Sequence, residues 1–376
     1  MQKTYELLEH ANQQNLYISK RYSKLMRMEN ETDYISRKKE LYPVSDELVT
    51  YLKKFKRYDE VSIKYDDLNR YSGAVTLYDK NGDDSLWETI IYDQWFLKEL
   101  DRGLKEVYAI LKMGKDLSVC EHLKVDRVDC CRYGNTKPFR IKINNKLNDN
   151  HDYFYIKKID SSRVYGLEIE HLLSPSMINF FVFEDTLVEE HIAGIPGDQF
   201  VTEYLNENKI NKIRIAKEFV KFNERCFVRL LGDMRSYNYV IDITPDFDNE
   251  QYRIRAIDFD QQSYEGKKVL YLPQFIKENN AFVKICIDLM TPKTVHQYQQ
   301  EERSLMRRRA LSSKHRFLDL FEIMEKEVIS TPQKIAQLKE ELNKHFKTTV
   351  YSVCTTMGQI LKIHLTTTLD LKDYFD

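Results

Sequence analysis

Three short alternating runs and two further strand candidates, divided by a helical segment, constrain this chain more than any other feature. Residues 124–133 (KVDRVDCCRY), 139–143 (FRIKI) and 153–159 (YFYIKKI) alternate apolar and polar positions between polar turns. That period of two gives each strand one face for a core and one for solvent or a cleft. A helical segment, Ser161 to Leu173, follows, and then two more strand candidates, Ile178 to Phe183 and Thr186 to Ile192. No single element is distinctive. The order β-β-β-α-β-β is informative as a set and places the chain in the α+β class.

On either side the texture is helical. Residues 1–115 are charged, with apolar residues at helical spacing in Glu47 to Phe55 and Gln94 to Met113. One interruption, GAVTLYD and SLWETIIYD around Asn81-Gly82, predicts a hairpin, because that dipeptide suits a turn needing positive φ. After Pro196, Lys212 to Arg225 reads as an amphipathic helix leading into FVRLLGD. A second hairpin, YNYVIDI to YRIRAIDFD, crosses the polar loop TPDFDNEQ. The rest has helical spacing, and the stripe Phe317, Leu318, Leu320, Phe321 and Met324 is expected to be core. Three units are expected: 1–115, 116–193 and 194–376.

Composition excludes several classes. A chain of 376 residues can bury a sizeable core, and 42% hydrophobic with 31% charged is ordinary for a globular protein. Lysine plus arginine (58) balances aspartate plus glutamate (59), so nothing calls for a nucleic-acid or membrane partner. The triplet Arg307-Arg308-Arg309 follows Glu301 and Glu302 without interleaved aromatics and reads as a solvated helix face. No apolar run approaches the roughly 18 residues of a membrane span. The opening MQKTYELLEHANQQ lacks the apolar centre of a secretion signal, and six scattered cysteines show no metal-binding spacing. A cytoplasmic protein with reduced thiols is expected.

The chemistry concentrates in GDMRSYNYVIDI (232–243) and RAIDFD (255–260). Phosphoryl transfer needs a carboxylate to orient a hydroxyl and take its proton, and oxygen ligands for the magnesium that neutralises phosphate charge. D-x-x-x-x-N supplies Asp233 and Asn238 at fixed spacing, and the strand-end carboxylate Asp258 supplies a further ligand. The hairpin between them returns the chain so that Asn238 and Asp258 can converge on one ion.

Leu231-Gly232-Asp233-Met234-Arg235-Ser236-Tyr237-Asn238 resembles the catalytic loop of the protein-kinase-like superfamily, closest to the aminoglycoside phosphotransferase and choline kinase branch. Ile257-Asp258-Phe259-Asp260 resembles that branch's metal-binding segment. The resemblance spans about residues 120–275. It implies a bilobal kinase-like fold with a helical N-terminal extension, an N-lobe at 116–193 and an enlarged helical C-lobe at 194–376. It further implies ATP and Mg2+, with Asp233 catalytic, Asn238 and Asp258 binding metal, and Asp260 assisting a second metal. Lys157, or its neighbour Lys158, would hold the phosphates. Lys157 is preferred because Phe154 and Ile156 then share the opposite, core-facing side. Glu168 or Glu170 on the following helix would pair with that lysine. The segment 187–198 resembles the hinge between lobes, where backbone at Glu190 to Ile192 would meet the adenine and Asp198 the ribose.

The resemblance thus implies a Mg-dependent phosphotransferase acting on a hydroxyl of an unidentified small molecule or protein. The alternative is a catalytically inactive, partner-binding pseudokinase. It rests on the single glycine of the Arg132 to Lys137 turn, and on Leu231 and Arg235 standing where the branch often has histidines.

Overall fold

The computed structural model describes residues 39–79, 82–131, 134–246, 249–371 and residue 374. The expected first hairpin is present as β1 (Gly73–Tyr78) and β2 (Asp84–Ile91). Of its turn dipeptide, Gly82 has a φ of 87°, the left-handed region glycine favours, while Asn81 lies outside the described residues. The five predicted strands follow as β3 (Leu123–Cys131), β4 (Phe139–Asn145), β5 (His151–Lys158), β6 (Phe180–Phe183) and β7 (Thr186–Glu190). Together they form one seven-stranded sheet in the order β1-β2-β3-β4-β5-β7-β6, each neighbouring pair antiparallel.

Alternation decides what covers each face. Phe139, Ile141, Ile143, Phe154 and Ile156 point into one apolar cluster, capped by helix α2 (Gln94–Met113) through Phe96, Leu100, Leu104 and Val107. Helix α2 stops at Gly114, whose φ of 59° gives the left-handed end typical of a helix C-terminus. Because β2 pairs with β3 at Trp87↔Cys131 and α2 shares this cluster, the boundary expected at 115/116 runs through a continuous sheet and core.

The second cluster is larger. Helix α1 (Asp46–Lys54), capped by Ser45, and α3 (Ser161–Leu173) pack with alternate residues of β6 and β7 against the C-terminal helices. These are α4 (Lys212–Arg229), α5 (Asn280–Leu289), α6 (Pro292–Ser312), α7 (Lys314–Met324), α8 (Pro332–Phe346) and α9 (Met357–Leu369). Phe317, Leu320, Phe321 and Met324 are fully buried and Leu318 packs beside them, as the stripe predicted. A small sheet of β8 (Ile195–Pro196), β9 (Tyr239–Asp246) and β10 (Asn249–Ala256) carries the second hairpin, whose Phe247 and Asp248 lie outside the described residues. Among the described residues, no helix is long and apolar enough to cross a membrane.

Candidate active site

Lys157 leaves β5 on the face opposite Phe154 and Ile156, both fully buried, while Lys158 is exposed. The alternation argument therefore selects Lys157. Its ammonium donates to Glu189 Oε2 at 2.8 Å. Lys157 pairs across the sheet with Leu187, so Glu189 is its diagonal neighbour on the same face. Burial, reinforced by the Arg163 charge, pushes the Lys157 ammonium below its usual range.

The partner expected from the helix is elsewhere. Glu168 is fully buried and accepts from Arg316 Nη2 at 2.7 Å and from the Tyr51 hydroxyl at 2.7 Å, with Arg57 3.4 Å away. Glu170 pairs with Arg229. Neither reaches Lys157. The reason is that α3 is buried on nearly every side, so its spacing shows no single stripe from which to choose a facing residue.

The residue α3 does send to Lys157's cluster is Arg163. Its Nε and Nη2 grip Glu189, the latter at 2.8 Å. Its Nη1 lies 2.8 Å from Oδ1 of both Asp258 and Asp260, and Nη2 donates to the Ile257 carbonyl at 3.2 Å. Burial alone would raise Glu189, but the Arg163 and Lys157 charges hold it down to about 2. Sequence reasoning missed both Arg163 and Glu189. The signal that could have found Glu189 is its register two residues from Lys157's cross-strand partner.

Asp233 sits in the loop between α4 and β9. Leu230, with φ 53°, ends α4 in the left-handed conformation, and the chain then pairs with the segment after Asp258. Gly232 N donates to the Gln261 carbonyl at 3.2 Å, and Ser263 N to the Leu230 carbonyl at 2.8 Å. Asn238 is joined similarly to the residue before Asp258, Ile257 N donating to the Asn238 carbonyl at 3.0 Å. Asp233 itself has φ 55°, a strained region for a residue with a Cβ. Its amide donates to the Leu270 carbonyl, and its carbonyl accepts from the Asn238 side chain at 2.8 Å. Burial pushes the Asp233 carboxyl up to about 6 against the opposing pull of Arg235, whose Nε lies 2.9 Å from Oδ1. Arg235 also pairs with Glu278 at 2.8 Å.

The acids at 258 and 260 differ. Asp258 lies above its ordinary range, through burial and then the neighbouring Asp260 charge, yet its side chain is 34% exposed. Both hydrogen bonds to it, from Arg163 and from the Asp260 amide, fall on Oδ1. Asp260 is buried, which would raise it, but Arg163 and the nearby lysines hold it below the usual carboxylate range. Asp260 thus lies against Arg163 as one of its counter-ions.

The expected hinge is partly engaged otherwise. The Glu190 amide donates to the Asn179 carbonyl, and its carboxylate accepts from Lys112 at 2.9 Å and from the Asn179 amide at 2.7 Å. Both groups are thus structural. Ile192 is buried with its side chain in the helical core. Asp198 is exposed and stays beside the Asp233 loop, its amide donating to the Ser236 carbonyl at 3.2 Å. Arg132 and Tyr133 of the turn between β3 and β4 lie outside the described residues. Beyond Lys157 the same sheet face carries Tyr155, Tyr153, Arg140 and Trp87, with the Arg140 guanidinium 4.3 Å from the Trp87 ring centre. That half-buried aromatic row offers planar apolar surface to a flat ligand.

Two surface grooves, of about 330 and 490 Å³, lie between Leu205 and Ile285 and between Tyr51 and Ile323, away from Asp233 and Asp258. Among the described residues, no three His, Cys, Asp or Glu side chains gather closely enough to hold a metal. A magnesium ion bound with a nucleotide asks for less, because one or two side-chain oxygens suffice when phosphates supply others. Asn238 and Asp258 carry the side-chain oxygens that could serve in that way. No family model matches the chain, and no curated protein matches it.

Proposed function

We propose that this protein is an ATP-dependent phosphotransferase, on a bilobal kinase-like scaffold, that moves a γ-phosphoryl group to a hydroxyl of a small-molecule or protein acceptor. The observation carrying this reading is the direct backbone pairing of the Asp233 loop with the segment that follows Asp258, beside the Lys157 cluster. Three chain segments distant in sequence supply a partly buried carboxylate, two further side-chain oxygens and a lysine.

Asp233, deprotonated, accepts the acceptor's hydroxyl proton and orients its oxygen. A carboxylate raised to about 6 is a better base than an ordinary aspartate and is still ionised near neutrality. Lys157 spends one donor on Glu189 and has others for phosphate oxygens. Asn238 and Asp258 would hold Mg2+, which supplies charge neutralisation on the phosphates. The bond from the Asp233 amide to the Leu270 carbonyl and that from the Asn238 side chain to the Asp233 carbonyl hold the base in place against the cost of its left-handed φ.

One observation favours a second reading, a nucleotide-binding module without transfer. Arg235 and Arg163 already occupy oxygens of Asp233 and Asp258. Purified protein incubated with magnesium and terminally labelled ATP, beside Asp233→Asn and Asp258→Ala, separates the two. Transfer or hydrolysis falling by roughly 10²-fold or more in both variants supports the phosphotransferase. Magnesium-dependent ATP binding with no turnover across a panel of hydroxyl acceptors supports the module.

A further inference from the structure

Arg163 spends its guanidinium on a single cluster. One edge grips Glu189, Nη2 also reaches the Ile257 carbonyl, and Nη1 lies 2.8 Å from one oxygen of each of Asp258 and Asp260. Its side chain is 2% exposed. That is the bridging position between two carboxylates, where a cation shared by both would sit. A magnesium ion there would need about 2.0–2.1 Å to the same oxygens. Two cations cannot share that space.

We infer that Arg163 permanently takes the place of a second cation between Asp258 and Asp260, so that the site accepts a single divalent ion, at Asn238 and Asp258. This rests on the phosphotransferase reading and adds a positioning residue to it.

Helix packing makes the arrangement rigid. Gly166, one turn beyond Arg163, lies so near the 259–262 segment that a Cβ would stand 2.9 Å from Phe259 Cβ and 3.2 Å from its carbonyl oxygen. The helix carrying Arg163 is thereby seated directly on the chain that carries both acids. Arginine suits the task better than lysine, because its planar fork serves several oxygens at once and does not lose its charge on burial. Charge balance agrees. Lys157 and Arg163 face Glu189, Asp258 and Asp260, leaving one net negative charge for an incoming ion. Without Arg163, Asp258 and Asp260 would lose the cation that bridges them and form a carboxylate pair open to another divalent ion.

Equilibrium dialysis of the full chain against Mn2+ and the non-hydrolysable analogue AMP-PNP, with bound Mn2+ read by electron paramagnetic resonance, counts the ions directly. The expected result is one Mn2+ per chain in the wild type, one in Arg163→Lys, and two in Arg163→Met. The gain in Arg163→Met is not something a merely structural role would produce. Two ions in the wild type, or one in a folded Arg163→Met, overturns the inference. No Mn2+ above a protein-free control overturns the phosphotransferase reading itself, and the inference with it. Should circular dichroism find Arg163→Met unfolded, the wild-type count decides alone: one ion supports the inference and two reject it.

Discussion

Asp233 is pulled in two directions, and its titration exposes which wins. Burial raises the carboxyl from 3.8 to about 6, whereas Arg235 at 2.9 Å favours its charged form. A folded-state value above the unfolded one means that protonation stabilises the fold. That stability is fully present below about pH 4 and is lost as pH rises through about 6. Replacing Asp233 by Asn removes the titration. The stability advantage of the variant over wild type should therefore grow between pH 4 and pH 7, by up to about 3 kcal/mol. Urea unfolding of both proteins at the two pH values measures it, and a difference independent of pH would contradict a buried, raised carboxyl. Transfer should show the complementary profile, rising through about pH 6 as the base ionises. That the Asp233 loop and the segment around Asp258 lie side by side was legible from sequence, because a hairpin joins them. Arg163 was not, because a buried arginine in a helix has no local pattern that distinguishes it from a solvated one.

Helix α3 is held from both sides, and the two contacts make opposite predictions. On the side away from Lys157, Glu168 gathers Arg316 from α7, Arg57 and the Tyr51 hydroxyl of α1. Glu168→Ala strands two mostly buried arginines, and should cost about 3–5 kcal/mol while leaving Lys157 paired with Glu189. Thermal melting should fall sharply, whereas ATP affinity at a temperature where the variant is folded should stay near wild type. A large loss of ATP affinity there would restore Glu168 to the phosphate-binding machinery. On the other side, Gly166→Ala places a Cβ 2.9 Å from Phe259 Cβ and 3.1 Å from Gln262 Cβ. The helix must move away, at a cost of roughly 1–3 kcal/mol, and it carries Arg163 with it. Stability and labelled-phosphate transfer should fall together in this variant, and wild-type values for both would show that close packing here is dispensable. The existence, type and order of these elements were legible in the sequence, since β3 to β5 alternate, β6 and β7 are short apolar runs, and α3 lies where helical spacing put it. What periodicity withheld was the facing of α3, since twelve of its thirteen residues are buried.

At the scale of the molecule, the residues before 116 are a structural part of the sheet that presents Lys157. Strand β2 pairs with β3, and without it β3 would become an open edge of unpaired amides and carbonyls. Helix α2 caps the apolar face of β4 and β5 through Phe96, Leu100, Leu104 and Val107, none more than 2% exposed. Phe154 and Ile156, which set the direction of Lys157, lie in that same cluster. A further tie reaches the start of α3, where Lys39 and the Tyr42 amide both bond Asp160. Sequence texture divided the chain at 115/116 because charge and helical spacing stop there. It could not show that a strand and a helix from the charged half complete the core of the next one, since such pairing is long-range and leaves no local mark. The consequence is testable by dissection. A chain of residues 116–376 should fail to fold, exposing the β4–β5 apolar face and aggregating, although it retains every residue assigned to the candidate site. The milder substitution Phe96→Ala should cost about 3–5 kcal/mol, the usual price of emptying an aromatic site in a packed core. A soluble 116–376 fragment with cooperative thermal unfolding would mean that the sheet reduced to β3–β7 is self-sufficient. Failure of the fragment together with a large penalty in Phe96→Ala would instead make the N-terminal hairpin and helix part of the scaffold on which Lys157, Arg163 and Asp258 meet.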